Sequence, residues 1–131
     1  MSALRLRKSL REAARRHLQA LGEVAGVRSA VLFSADGFEI ASHATDTALA
    51  SRLAAIGSSL AALGGAISAE AGLRDFERST IESADGTVTI MRLRGNPPMS
   101  LAVIADRKAT LGRLLWATRH CCDALTQFLD E

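Results

Sequence analysis

The chain of 131 residues has the length of one ordinary domain, and its 48% hydrophobic and 23% charged residues exclude a disordered segment. Aromatic residues make up only 4% of the sequence and tyrosine is absent, which disfavours a nucleic-acid module that stacks bases on aromatic rings. The formal net charge of +2 is unevenly spread: residues 1–20 hold six basic side chains and Glu12, so they carry +5 and the remainder −3.

The first predicted element is a basic helix over residues 3–21. Its apolar positions recur at helical spacing: Leu6, Leu10, Ala14, His17, Leu18 and Leu21. Arg11 and Arg15 lie on the remaining side and are candidate partner contacts. A solvated basic face is the favoured interpretation, an acidic protein or anionic membrane surface is next, and nucleic acid is least favoured because no recognised module accompanies the charges.

Two strands, Val27 to Phe33 and Phe38 to His43, flank the letters Ser-Ala-Asp-Gly, and the same four letters return at Ser83 to Gly86. Asp-Gly between apolar runs is a strong hairpin signal, so a turn is favoured over a ligand site at both places. In each copy we expect a type I turn closed by a bulge at the glycine.

The middle of the chain, Asp46 to Glu70, predicts a long helix with Arg52 as the one charge between Thr47 and Ala69. A stripe of large apolar residues is accompanied by a second stripe of small residues. The large stripe comprises Leu49, Leu53, Ile56, Leu60, Leu63 and Ile67, and the small stripe Ala50, Ala54, Gly57, Ala61, Gly64 and Ser68.

Glycine inside a helix costs roughly 1 kcal/mol against alanine, so we expect close approach of a second helix to offset it. The small stripe is therefore the predicted homodimer interface. A partnerless alanine-rich surface helix is the alternative, and Arg52 with several serines argues against a membrane helix.

Three more strands and a helix complete the chain: Asp75 to Ser83, Thr87 to Leu93, Met99 to Ala105, and a helix from Thr110 to Leu129. The predicted fold class is α/β (α+β), with one five-stranded antiparallel sheet, helices on both faces, and the order α-β-β-α-β-β-β-α. No domain boundary is visible, so residues 1–131 are expected to form a single domain.

Signals for chemistry are weak. The phosphate-loop pattern G-x-x-x-x-G-K-[ST] is absent. The run His120-Cys121-Cys122-Asp123 has poor metal-ligand spacing, and Cys122 is expected to be a small core residue. We therefore predict no catalytic residue, no metal and no cofactor. Trp116 lies away from the apolar stripe of its helix. It is interpreted either as a partner contact or as a ring that covers the first helix or arginine stems, and the second interpretation is favoured.

The adjacent cysteines have no partner for a disulfide, which fits a reducing compartment. No apolar run reaches ~18 residues, and the N-terminus lacks the apolar segment of a signal peptide. A soluble cytoplasmic protein without a membrane span is expected.

Three segments resemble the roadblock / dynein light chain family: VAGVRSAVLFSADGFEIAS (Val24 to Ser42), LAAIGSSLAALGG (Leu53 to Gly65) and SLAVIADRKATLGRLL (Ser100 to Leu115). The resemblance covers nearly the whole chain, and the chain is similar to single-domain bacterial members of the family. It implies a homodimer or heterodimer that scaffolds or regulates Ras-like GTPases, with paired middle helices and an edge strand at the dimer surface. Carried over, the helix match falls on Ala50, Ala54, Gly57, Ala61 and Gly64, and a weaker edge-strand match on Asp75 to Ser79.

These observations lead to the hypothesis of a non-catalytic homodimeric regulator or scaffold that binds a Ras-like small GTPase. The alternative is a small-ligand sensor or generic assembly module with a cavity between sheet and helix. Arg92 and Arg94, beside the Gly95-Asn96-Pro97-Pro98 loop, are candidates for an arginine inserted into a GTPase site, although ordering of the GTPase's own residues is preferred.

Overall fold

The computed structural model describes residues 3–44 and 46–129. Three helices and five strands follow the predicted order. They are α1 (Ala3–Gly22), β1 (Val27–Ser34), β2 (Glu39–His43), α2 (Thr47–Glu70), β3 (Arg78–Ser83), β4 (Gly86–Arg92), β5 (Met99–Asp106) and α3 (Leu111–Thr126).

The five strands form one antiparallel sheet in the order β2-β1-β5-β4-β3. The central strand β5 is buried along most of its length, whereas β2 and β3 are the edge strands. In the described part of the chain, β3 pairs with β4 alone, and its other edge is free. The start of β3 differs from the prediction: Asp75 to Glu77 precede the strand, so most of the expected edge-strand match lies in a connecting segment.

Alternate residues of β1 enter two separate cores, as strand geometry requires. Ala30 and Leu32 join the core beneath α1 and α3, while Val31 and Phe33 join a smaller core beneath α2. The helices therefore cover both faces of the sheet, as predicted, with α1 and α3 on one side and α2 on the other.

The two Ser-Ala-Asp-Gly segments are both hairpin turns, but they differ in geometry. In the first, Gly37 has φ +87°, its N–H donates to the Ser34 carbonyl at 3.0 Å, and the pairing is shifted between Leu32 and Phe33. This is the expected bulged turn. In the second, Ser83 pairs directly with Gly86 across a two-residue turn, and Gly86 does not have a positive φ. The prediction of identical turns is therefore wrong. Glycine serves a different purpose at position 86, because a β-carbon there would meet the Ala105 carbonyl oxygen.

Both ends of α2 are closed by local hydrogen bonds. The Asp46 side chain accepts from the Ala48 N–H at 2.9 Å, which satisfies an unpaired donor of the first turn. At the other end, Gly72 adopts φ +74° and the Leu73 N–H donates to the Ser68 carbonyl at 2.8 Å. This bond is part of a Schellman motif, in which the positive φ of Gly72 ends the helix.

Candidate interaction surface

The small residues of α2 face the sheet. Ala50, Ala54 and Gly57 are buried against it. A β-carbon added at Gly57 would lie 2.7 Å from Cζ of Phe33, whose ring is itself buried. The glycine thus allows the helix backbone to approach the Phe33 ring, so the neighbour that offsets its helical cost is the chain's own sheet rather than a second helix.

The predicted dimer interface is therefore wrong for Ala50, Ala54 and Gly57, which have no surface left for another chain. The remaining members of the small stripe, namely Ala61, Gly64 and Ser68, are half-buried. Gly64 lies against the ring of Phe76, which fills the space that a β-carbon would need. The small stripe is the packing face of α2 and not its free face.

Three large apolar side chains of α2 point away from the core, whereas Leu53 and Leu60 pack against it. Ile56, Leu63 and Ile67 are 65%, 59% and 68% exposed. Their spacing of seven and four residues places them on one side of the helix. The sequence showed both stripes of α2 but not which of their residues pack on the sheet and which stay exposed.

Ile81 extends this surface onto the edge strand. It pairs with Val88, which packs into the core beneath α2, so Ile81 lies on the same face of the sheet as the helix. Its side chain is 43% exposed. Ile56, Leu63, Ile67 and Ile81, together with the free edge of β3, are called the α2–β3 surface below.

The other candidate contacts lie on the layer formed by α1 and α3. Arg11 and Arg15 are exposed on α1, and no ion pair of the described residues involves either. Trp116 is 68% exposed, and its ring stacks on the His120 ring at 5.2 Å between centroids. The sheet separates these three residues from α2.

The adjacent thiols are unsuited to chemistry. Cys121 and Cys122 are buried in the core of α1 and α3, which confirms the packing role predicted for Cys122. Burial raises the pKa of the Cys121 thiol to about 12, and burial followed by the neighbouring Cys121 raises the pKa of Cys122 as well. Both thiols are therefore protonated at neutral pH and poor nucleophiles. Within residues 3–44 and 46–129, no group of three His, Cys, Asp or Glu side chains could hold a metal ion.

Among the described residues, α2 is long and apolar enough to cross a membrane by length and composition alone. The core helix of a soluble protein can have the same length and composition. Packing of Ala50, Ala54 and Gly57 on the sheet accounts for one apolar side of α2 without a membrane. Its other apolar side is part of the α2–β3 surface.

Two cavities lie near the α2–β3 connection. The smaller, about 240 Å³, runs between α2 and the sheet and is walled by Phe33, Ala61 and Met99. The larger, about 540 Å³, is bordered by arginines that include Arg92 and Arg94. Phe76 and Arg92 line both cavities. The sequence singled out Arg92 and Arg94 but not the other residues that line these cavities, because those residues are distant in the chain.

The architecture defines a small α/β domain with one unpartnered apolar helix beside a free sheet edge. The Roadblock/LC7 domain model matches residues 14–105, and the chain belongs to that family. No curated protein matches its sequence.

Solved structures show the same fold. Myxococcus xanthus MglB superimposes with a TM-score of 0.81 at 18% identity, over 92% of this chain and 93% of that one. A gliding protein MglB from Thermus thermophilus superimposes with a TM-score of 0.81 at 21% identity, over 92% of this chain and 90% of that one. A Roadblock/LC7 domain from Streptomyces avermitilis superimposes with a TM-score of 0.79 at 23% identity, over 87% of this chain and 95% of that one.

Proposed function

We propose that this chain is a non-catalytic, cytoplasmic, homodimeric regulator or scaffold that binds a Ras-like small GTPase in a bacterium. The observation that carries the homodimer is the α2–β3 surface. Three large apolar side chains that stay more than half exposed in one chain are a strong signal of an interaction site. Full burial of each would contribute roughly 1.5–3 kcal/mol.

Family membership and fold support the remainder of the proposal. The Roadblock/LC7 match covers residues 14–105, and one structural neighbour is described as MglB with a tetrameric arrangement, at 22% identity and a TM-score of 0.81. The sequence lacks the phosphate-loop pattern of a P-loop GTPase, so in this proposal the chain acts as a partner of the GTPase. Regulation would then work by ordering the GTPase's own catalytic groups.

The homodimer is tested by light scattering after size-exclusion chromatography on wild type, Ile67→Glu and Ala69→Glu. Ile67 lies in the α2–β3 surface, whereas Ala69 is exposed about 200° further around the same helix. We expect a wild-type dimer that becomes monomeric in Ile67→Glu and persists in Ala69→Glu. A monomeric wild type, or equal effects of the two glutamates, would contradict the proposed interface.

The GTPase is tested by mixing stoichiometric amounts of this chain with each Ras-like GTPase encoded in the same genome, loaded with GDP or a GTP analogue. Saturable binding to one nucleotide state is expected, and Ile67→Glu shows whether binding needs the dimer. Absence of binding to every such GTPase would count against the regulatory role while leaving the dimer untouched.

A small-ligand sensor is the second candidate, and the cavity of about 240 Å³ between α2 and the sheet favours it. That volume is below the range of about 300–1,000 Å³ typical of ligand pockets, so it ranks behind the GTPase hypothesis. Native mass spectrometry of the purified protein would reveal a retained ligand if this candidate were correct.

A further inference from the structure

The larger cavity collects arginines from three separate parts of the chain. Arg74 comes from the α2–β3 connection, Arg92 and Arg94 from the end of β4 and the loop after it, and Arg119 from α3. The acidic side chains lining the cavity are Asp75 and Glu77, so its lining carries a net charge of +2. Its volume of about 540 Å³ falls inside the range of about 300–1,000 Å³ typical of small-molecule sites.

Glu77 is shared between two of the guanidinium groups. Its Oε1 lies 3.5 Å from Nη2 of Arg94, and its Oε2 lies 3.8 Å from Nη2 of Arg119. Both distances are long for charge-assisted hydrogen bonds, and the glutamate is more than half exposed, so both contacts are weak and easily exchanged.

The other two guanidinium groups have no acidic partner within the described residues. No ion pair there includes Arg74 or Arg92. Like charges gathered around one cavity repel each other, and an anion placed among them removes that repulsion. The fold therefore brings together more positive charge than its own carboxylates neutralise.

From this geometry we propose that the cavity binds a small polyanion, a molecule that carries two or more anionic oxygens in phosphate or carboxylate groups. Guanidinium groups suit this ligand because their N–H donors form a planar fork that matches both kinds of oxyanion. The half-buried Phe76 adds an apolar wall on the side of the smaller cavity. The arginines named above all come from this chain, so anion binding can be tested on the purified protein alone.

The test is isothermal titration calorimetry at low ionic strength, with inorganic pyrophosphate and citrate in separate titrations. The variants are Arg92→Gln and Arg119→Gln, with Arg113→Gln as the matched control. Arg113 is an exposed residue of α3 that does not line the cavity, and its replacement removes the same charge. Thermal unfolding checks that each variant is folded. Arg119 is half-buried, so Arg119→Gln can fail to fold, and in that case the proposal is judged on Arg92→Gln.

We expect saturable binding of one anion per chain, weakened at least tenfold by Arg92→Gln and Arg119→Gln and changed less than twofold by Arg113→Gln. Stronger binding of pyrophosphate would assign the natural ligand to the phosphates, and stronger binding of citrate to the carboxylates. The proposal is overturned if neither anion binds saturably, or if Arg113→Gln weakens binding as much as Arg92→Gln does.

Discussion

Gly57 shows how one missing β-carbon sets the position of a helix. In an exposed helix, replacement of glycine by alanine stabilises by roughly 1 kcal/mol. At Gly57 the new β-carbon would lie 2.7 Å from Cζ and 3.1 Å from Cε1 of Phe33, a buried ring, so the ring or the helix backbone would have to shift. Overpacking of this kind costs about 1–3 kcal/mol, so we expect Gly57→Ala to lower the free energy of unfolding by about 1 kcal/mol. Urea denaturation at fixed protein concentration measures it.

Gly65 supplies the control in the same helix. No atom lies within 4 Å of a β-carbon built there, so Gly65→Ala should raise the free energy of unfolding by roughly 0.5–1 kcal/mol. Opposite signs for the two alanines are the expected result. Stabilisation by both would mean that the helix lies further from Phe33 than the structure places it.

Burial also decides the behaviour of the thiols. The pKa of Cys121 rises from 9.0 to about 12 because the thiolate would be desolvated. We therefore expect both cysteines to react with a thiol reagent at pH 8 only after unfolding, and rapid labelling of the native protein would contradict this. The folded state holds the Cys121 proton more tightly than the unfolded state, so its contribution to stability is complete below pH 9 and is lost as pH rises towards 12.

At the scale of elements, the sequence revealed the two stripes of α2 but not which one packs on the sheet. Helical spacing identifies faces, whereas the choice depends on rings elsewhere in the chain. Phe33 and Phe76 occupy the space above Gly57 and Gly64, and neither contact is visible locally. The same limit explains the second Ser-Ala-Asp-Gly turn, whose geometry is set by the direct pairing of Ser83 with Gly86.

The edge strand β3 offers a test of the α2–β3 surface that leaves the helix unchanged. Ile81 lies on the α2 side of the sheet, and its neighbour Thr80 lies on the opposite side because side chains alternate along a strand. A lysine at position 81 would place a charge in the apolar interface, so Ile81→Lys should weaken the dimer at least tenfold. Thr80→Lys adds the same charge to the other face and should change dimer affinity little. Sedimentation equilibrium measures both, and equal weakening would show that the edge alone, and not the α2 side, forms the contact.

At the scale of the whole molecule, element order and sheet composition followed from the sequence because apolar periodicity and turn residues are local signals. The larger cavity did not, since Arg74, Arg92 and Arg119 come together only when the α2–β3 connection, the end of β4 and α3 approach one another. The family match begins at residue 14, inside α1, so the first part of that helix lies outside the match.

Helix α1 is an integral part of the core and not a separate basic segment. Leu10, Leu18 and Leu21 are buried in the core shared with α3, whereas Arg11 and Arg15 are exposed. Deletion of residues 1–22 would expose that core, and we expect the shortened chain to lose cooperative unfolding in urea. The double variant Arg11→Gln/Arg15→Gln removes only surface charge and should stay within about 0.5 kcal/mol of wild type. A shortened chain that still unfolded cooperatively would show that α2, α3 and the sheet suffice for folding and that α1 is not an essential part of the core.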